Sequence, residues 1–419
     1  MVKRTVLPNG LRVISEAVPT VKSIALGIWI NAGSRDETKN SSGISHFLEH
    51  MVFKGTEQRT ALEIAQSLEH RGGHLNAFTS REQICFYAKF IDLDLSLAVD
   101  VLSDMLLSPT FDPLEIEKEK MVILEEIKGV EDNPEEFVHD LFASCMWGEH
   151  PLGWPIYGFK KQVVSFQQKD LRKKLKELLS PQQIVVAAAG NLEHEKIVEL
   201  IGEKMSFPFA GQVQREVPNH FDRKVQTVYK TIEQSNLCLG TRAYAFTDRR
   251  KYPLILLNTI LGDGMSSRLF QKIREELGLS YSIYSFVEFF QDSGVFGIYV
   301  GTDKNKVSKS LQQVMLEMTR FRKEGISPEE LEFAKTHLIG NLYMGLESTN
   351  SRMTRLAKLE LYLNEYEDVE KTVTDIKKVT VEEIRGVIED LFVAEKITGV
   401  HLGPKLKHAI DAKNFAMLN

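Results

Sequence analysis

Near the N-terminus stands the stretch "GISHFLEHMVFKG", residues 43–55, with His46, Glu49 and His50 inside five positions. On a helix, residues four apart lie one above the other on the same face. Both imidazoles can therefore be aimed at one point. Two such nitrogens and one further protein ligand are what zinc takes in catalytic sites, where the fourth position is left for water. Glu49 follows His46 by three residues, on the same face but offset, and can reach that water as a general base. The plain alternative is a polar helix surface that carries two histidines by chance. The rest of the stretch is apolar, and burying these three side chains without partners is costly, which favours a metal. Manganese or cobalt would accept the same ligands.

A third ligand has to come from elsewhere and should be a carboxylate or a histidine. The stretch "EIEKEKMVILEE" offers Glu119 and Glu126, seven apart and so on one helix face, while Glu125 points about 100° away. One carboxylate of the pair would bind the metal and the other would support a ligand histidine. Acidic residues on a helix are usually solvated, so geometry alone leaves this pair open. His70 and His74 straddle Gly72-Gly73 and so do not share a helix turn, and His139, His150 and His194 have no partners at metal spacing. "GDGMSS", 262–267, lacks the phosphate-loop pattern and reads as a turn before a helix.

The elements that would position these groups can be read from periodicity. The chain opens with strand patterns, "TVLPNGLRVISEAV" and "SIALGIWINAGS", before the histidine-bearing helix. Thr60 to Arg71 reads as a second helix closed by Gly72-Gly73. "HLNAFTS" and "QICFYAKF" alternate as two strands around a polar turn. Asp112-Pro113 and Asn133-Pro134 each start a helix. Residues 206–221, with Pro208, Gly211 and Pro218, form the best linker candidate. Beyond it the order strand, helices, two strands, helix, helix recurs, as in an internal duplication. The place of the histidine motif is then taken by the apolar "ILLNTIL".

Length and composition agree with two domains. The 419 residues are 43% hydrophobic and 26% charged, with a net charge of −6. That is too long for one core. The expected fold class is α+β, as two homologous domains, 1–210 and 211–419, each a largely antiparallel sheet packed by helices. No broad basic field points to nucleic acid. No apolar run approaches the roughly 18 residues of a membrane span. Three separated cysteines without CxxC spacing suit a reducing compartment, and the start lacks the apolar core of a signal peptide. A cytoplasmic protein is expected.

"GSRDE", "GISHFLEHMVFKGT", "GGHLNAFTSRE", "VILEEI" and "GMSSRLFQKIREELGLSYS" together resemble the pitrilysin-type zinc metallopeptidases with an inverted HxxEH motif. Within them the chain is most similar to the β subunit of mitochondrial processing peptidase and its short bacterial relatives. The resemblance covers nearly the whole chain. It implies that His46, His50 and Glu126 hold one Zn2+ per chain, that Glu49 is the base, and that Glu119 supports a ligand from behind. It implies an edge strand at "LNAFT" on which Asn76 and Ala77 hold an extended substrate by β-augmentation. Arg274 and Tyr281 in "REELGLSY" match a pair that grips substrate near the scissile bond. Glu136 and Asp140 match acidic positions that read an arginine near the cleavage point; a carboxylate near a helix N-terminus has a simpler explanation in the helix dipole. The resemblance further implies a half clamshell per chain and a homodimer whose chamber encloses the substrate. In that arrangement the partner supplies Arg274 and Tyr281. The expected activity is zinc endopeptidase; the rival is a non-catalytic structural or peptide-binding subunit of the same ancestry.

Overall fold

Strand alternation and helical apolar stripes sort the chain into two compact units, seen in a computed structural model that describes residues 1–205, 215–218 and 223–418. The first unit comprises Met1–Lys128, Trp154–Glu216 and Met344–Tyr366; the second comprises Gly129–Gly153, Val217–Tyr343 and Glu367–Asn419. The sequence pattern divides the chain at residue 210. The units change over at Glu216 and Val217 and also exchange two segments, one from each half. Most of the connector expected over residues 206–221 lies outside the described residues.

The first unit is built on a six-stranded sheet. Its strands are β1 (Val2–Val6), β2 (Arg12–Ala17), β3 (Ser23–Ile30), β4 (His74–Thr79), β5 (Ile84–Ile91) and β6 (Ile184–Gly190). They lie in the order β1-β2-β6-β3-β5-β4, and only β2 and β6 run parallel. One face packs against α1 (Ile44–Val52), α2 (Ala61–Glu69), α3 (Leu95–Leu107) and part of α4 (Pro113–Asp132), around Leu26, Phe47, Leu102 and Ile123. The other face is covered by the helix Thr349–Leu363, which sets Met353, Leu356, Ala357 and Leu361 on Ile14, Trp29 and Val185. Both faces are dry, which is why β3 and β6 read as nearly continuous apolar runs.

The second unit repeats this plan. Its strands are β7 (Val225–Tyr229), β8 (Gln234–Ala243), β9 (Ser280–Phe289), β10 (Gly294–Asp303) and β11 (Thr398–Gly403), in the order β7-β11-β8-β10-β9. Only β7 and β11 are parallel. Placing β8 on β3 puts β11 on β6, β10 on β5 and β9 on β4, so the duplication expected from the sequence is present in the topology. One face packs on helices that include Lys251–Gly262 and Val307–Glu324. The other receives α5 (Pro134–Trp147), through Val138, Phe142 and Met146. Each sheet is mixed but largely antiparallel and is packed by helices, as the sequence predicts. Among the described residues no helix is long and apolar enough to cross a membrane.

Candidate metal centre

Helix α1 forms because Ile44, Phe47, Leu48, Met51 and Val52 make one apolar stripe at helical spacing, and all five are buried. His46, Glu49 and His50 share another face and are half-buried. Helix α4 buries Ile116, Glu119, Ile123 and Ile127 along one stripe. Its inward face therefore carries Glu119 in the dry interior and Glu126 near its edge.

The two helices bring three donors together. Ligand atoms of His46, His50 and Glu126 all lie within 4.8 Å of one another. Nε2 of His50 is 3.6 Å and Nε2 of His46 is 3.9 Å from Oε2 of Glu126. Donors about 2.05 Å from a tetrahedral zinc stand roughly 3.3 Å apart. The two nitrogen–oxygen distances of 3.6 and 3.9 Å exceed this by a few tenths of an ångström, and the widest separation, up to 4.8 Å, closes by up to about 1.5 Å through side-chain rotation. The donor chemistry, two imidazoles and a carboxylate, also suits zinc. The residues present fit the metal.

The groups behind the donors fix their orientation. Oε1 of Glu119 is 2.8 Å from Nδ1 of His50. An ionised carboxylate only accepts, so Nδ1 carries the proton and Nε2 turns its lone pair to the centre. The other oxygen of Glu119 pairs with Nζ of Lys54 at 2.7 Å. Burial favours a protonated Glu119, yet the hydrogen bonds to His50 and Lys54 hold its carboxyl below the usual range. Burial likewise disfavours a charged His50, but the bond to Glu119 and the charges of Glu126, Glu119 and Glu49 outweigh it and raise the imidazole. His46 has no such support: its Nδ1 is buried without a hydrogen-bond partner among the described residues. Burial, with the charge of His50, pushes it down to about 4, so it is neutral and free to bind a metal at neutral pH.

Glu49 stands beside these donors. Its Oε2 accepts a hydrogen bond from Oγ1 of Thr79 at 2.6 Å. Burial raises its carboxyl, with the Thr79 bond pulling the other way. A base poised upward in this way is better matched to neutral pH. Thr79 ends β4, the outermost strand of its sheet. Asn76 and Ala77 lie on the same strand, and Oδ1 of Asn76 accepts the N–H of Ala77 at 2.8 Å. That N–H consequently points away from β5.

The other expected residues belong to the second unit. Arg274 lies within a π-helical turn, Phe270–Glu276, and Tyr281 is on β9, the outermost strand there. The guanidinium lies 5.4 Å from the Tyr281 ring, which is 75% exposed. A π-turn inside a helical run often marks a functional position. Glu136 is exposed and Asp140 half-buried, both on α5. Two contributors, Thr79 and Lys54, escape the reading of sequence motifs. Lys54 follows His50 by four, which is a usable signal. Thr79 shares the face of Ala77 by strand alternation.

An inverted histidine pair, a distant carboxylate and a second carboxylate beside them are the side-chain set of a metallopeptidase-type centre, here on a duplicated α+β fold. Residues 12–160 match the family described as insulinase (peptidase family M16), and residues 165–338 match the peptidase M16 inactive domain. The chain is 40% identical to an uncharacterized zinc protease of Bacillus subtilis, over 94% of this chain and 97% of the relative. It is 38% identical to one of Streptomyces coelicolor, over 93% and 87%. The chain belongs to peptidase family M16. In fold it matches a protease from Helicobacter pylori, with a TM-score of 0.89, 23% identity and coverage of 96% and 100%. It also matches a chain of complex III2 from Candida albicans, with a TM-score of 0.85, 19% identity and coverage of 99% and 99%.

Proposed function

We propose that the chain is a zinc endopeptidase that hydrolyses extended or unfolded peptides. The observation that carries this is the convergence of His46, His50 and Glu126 with Glu49 beside them. Zinc bound by these three residues would lower the pKa of a coordinated water toward neutrality and polarise the scissile carbonyl. The rest falls to the chain's own groups. Glu49 takes the proton of the attacking water and passes it to the leaving amine, while Thr79 holds the far oxygen of that carboxylate in place. The free edge of β4 binds the peptide backbone by β-augmentation. A substrate carbonyl there replaces Oδ1 of Asn76 on the N–H of Ala77.

Arg274 and Tyr281 supply donors for the developing oxyanion. In this reading they come from a second copy, so the working form is a homodimer with two equivalent sites and an enclosed chamber. Glu136 and Asp140 favour a basic residue near the cleaved bond. A cytoplasmic setting is in keeping with three buried, free cysteines. The complex III chain shares the fold without sharing much sequence, so a non-catalytic subunit is the rival reading; retention of all three ligands and Glu49 argues against it.

The test is zinc content together with cleavage of a quenched fluorescent peptide, in wild type and Glu49→Gln. Zinc retained with cleavage reduced on the order of 10²–10⁴-fold is the expected result. Zinc retained with cleavage unchanged sinks the mechanism. Sedimentation finding a fully active monomer sinks the dimer.

A further inference from the structure

The helix that carries the metal motif starts without the residues that usually start a helix. An N-cap side chain normally accepts one of the orphan N–H groups of the first turn. Here the N-cap is Gly43, at φ +92, and a Cβ on it would meet the carbonyl oxygen of Tyr157 at 2.6 Å and Cα of Gly158 at 2.8 Å. No side chain fits that position. The first turn of α1 also has no acidic residue to face the helix dipole.

Glu37 supplies both. One carboxylate oxygen accepts the N–H of Gly43 at 2.7 Å and the other accepts the N–H of Ser45 at 2.8 Å. The side chain is buried, with Lys174 as a charge facing it from the helix Gln168–Leu178. Burial pushes its carboxyl up to about 7, against the pull of Lys174 and the two N–H groups. Its base is fixed as well. Ser34 and Arg35 donate their N–H groups to the carbonyls of Ser80 and Arg81, in the turn between β4 and β5. Arg35 pairs with Glu82 at 2.5 Å, and Asp36 pairs with Arg215 at 2.9 Å.

We propose that Glu37 is a positioning residue for the site: it stands in for the cap that Gly43 cannot provide and sets α1 against the β4–β5 hairpin. The consequence is register between His46, Glu49 and His50 on one side and the edge strand with Thr79 on the other. The inference rests on the metallopeptidase reading above. It predicts that loss of the cap tilts the donors without removing any of them.

The test compares wild type, Glu37→Gln and Glu37→Asp. Glutamine offers one acceptor to two N–H groups; aspartate keeps the charge but shortens the reach. Zinc affinity by chelator competition is expected to fall on the order of 10–100-fold in Glu37→Gln. The visible spectrum of the cobalt-substituted protein should change in position or intensity. Cleavage should lose kcat with KM within about twofold, because the strand that binds substrate is untouched. Glu37→Asp should fall between the two. An unchanged cobalt spectrum and unchanged zinc affinity in a folded Glu37→Gln variant overturn the proposal, even if the melting temperature drops. If neither variant folds, amide exchange in wild type decides: slow exchange at Gly43 and Ser45 supports the cap, and fast exchange there overturns it. A wild type that neither binds zinc nor cleaves peptide would instead indict the functional reading.

Discussion

Helix α1 and the helix Lys251–Gly262 follow equivalent strands, β3 and β8, yet they face opposite demands. The second buries Leu254, Leu256, Leu257, Ile260 and Leu261 and carries no ionisable residue between Tyr252 and Gly262. The first buries an equally continuous stripe but turns His46, Glu49 and His50 to its other face. The scaffold therefore does not need polar groups at this position. They cost desolvation, which Glu119 of α4 and Lys54 offset through a pair of well-formed bonds. The contrast indicates that the polar set in the first unit is kept for chemistry.

The strongest way to break the contrast is to erase it. Replacing His46, Glu49 and His50 together with leucine should abolish zinc binding and lower peptide cleavage by at least about 10³-fold. The melting temperature of the metal-free protein should hold or rise once Glu119, which loses its His50 partner in that variant, is replaced by leucine as well. Cleavage that survives would separate activity from this helix.

A smaller effect should follow from weakening the support alone. Glu119→Gln leaves all three ligands but swaps a charged acceptor for a neutral one. Zinc affinity is expected to fall about 10–100-fold, as measured by chelator competition. Lys54→Met should reproduce part of that loss, and Lys54→Arg should restore it. An affinity unchanged in both Glu119→Gln and Lys54→Met would show that His50 needs no orientation.

The smallest effect probes the second unit. His401 is buried on β11 with Nε2 3.1 Å from Oγ of Ser235, and burial pushes it down to about 4 from an ordinary 6.5. Between those values the unfolded chain binds the proton and the folded one does not. Stability should therefore rise with pH across about 4 to 6.5, with a slope up to about 1.4 kcal/mol per pH unit from this group. Denaturant melts of metal-free protein should show a shallower rise in His401→Gln. An identical slope would mean that His401 takes no part.

The candidate metal centre is legible in part because helical spacing is a strict rule: it sets which of positions 46, 49 and 50, and which of 119 and 126, share a face, while the pairing of Glu126 with the histidines comes from the family resemblance. Alternation makes "LNAFT" legible as a strand, and its edge position comes from the family resemblance. Glu37 is not, since its role depends on a loop folding back onto a glycine whose neighbours exclude a side chain. The π-helical turn that contains Arg274 leaves no mark in a periodicity that reads as an ordinary helix. The exchanged helices are also hidden. Both α5 and Thr349–Leu363 have apolar stripes, and a stripe does not say which sheet it will cover.

That exchange bears on how the gene can be cut. A fragment ending near residue 210 carries the first sheet without Met353, Leu356, Ala357 and Leu361, the side chains that close one of its faces. The complementary fragment lacks Val138, Phe142 and Met146, which do the same for the second sheet. Each piece would expose a broad apolar surface and aggregate if made by itself. Made together, the two should rescue one another, so the halves of this duplicated chain are heritable only as a pair.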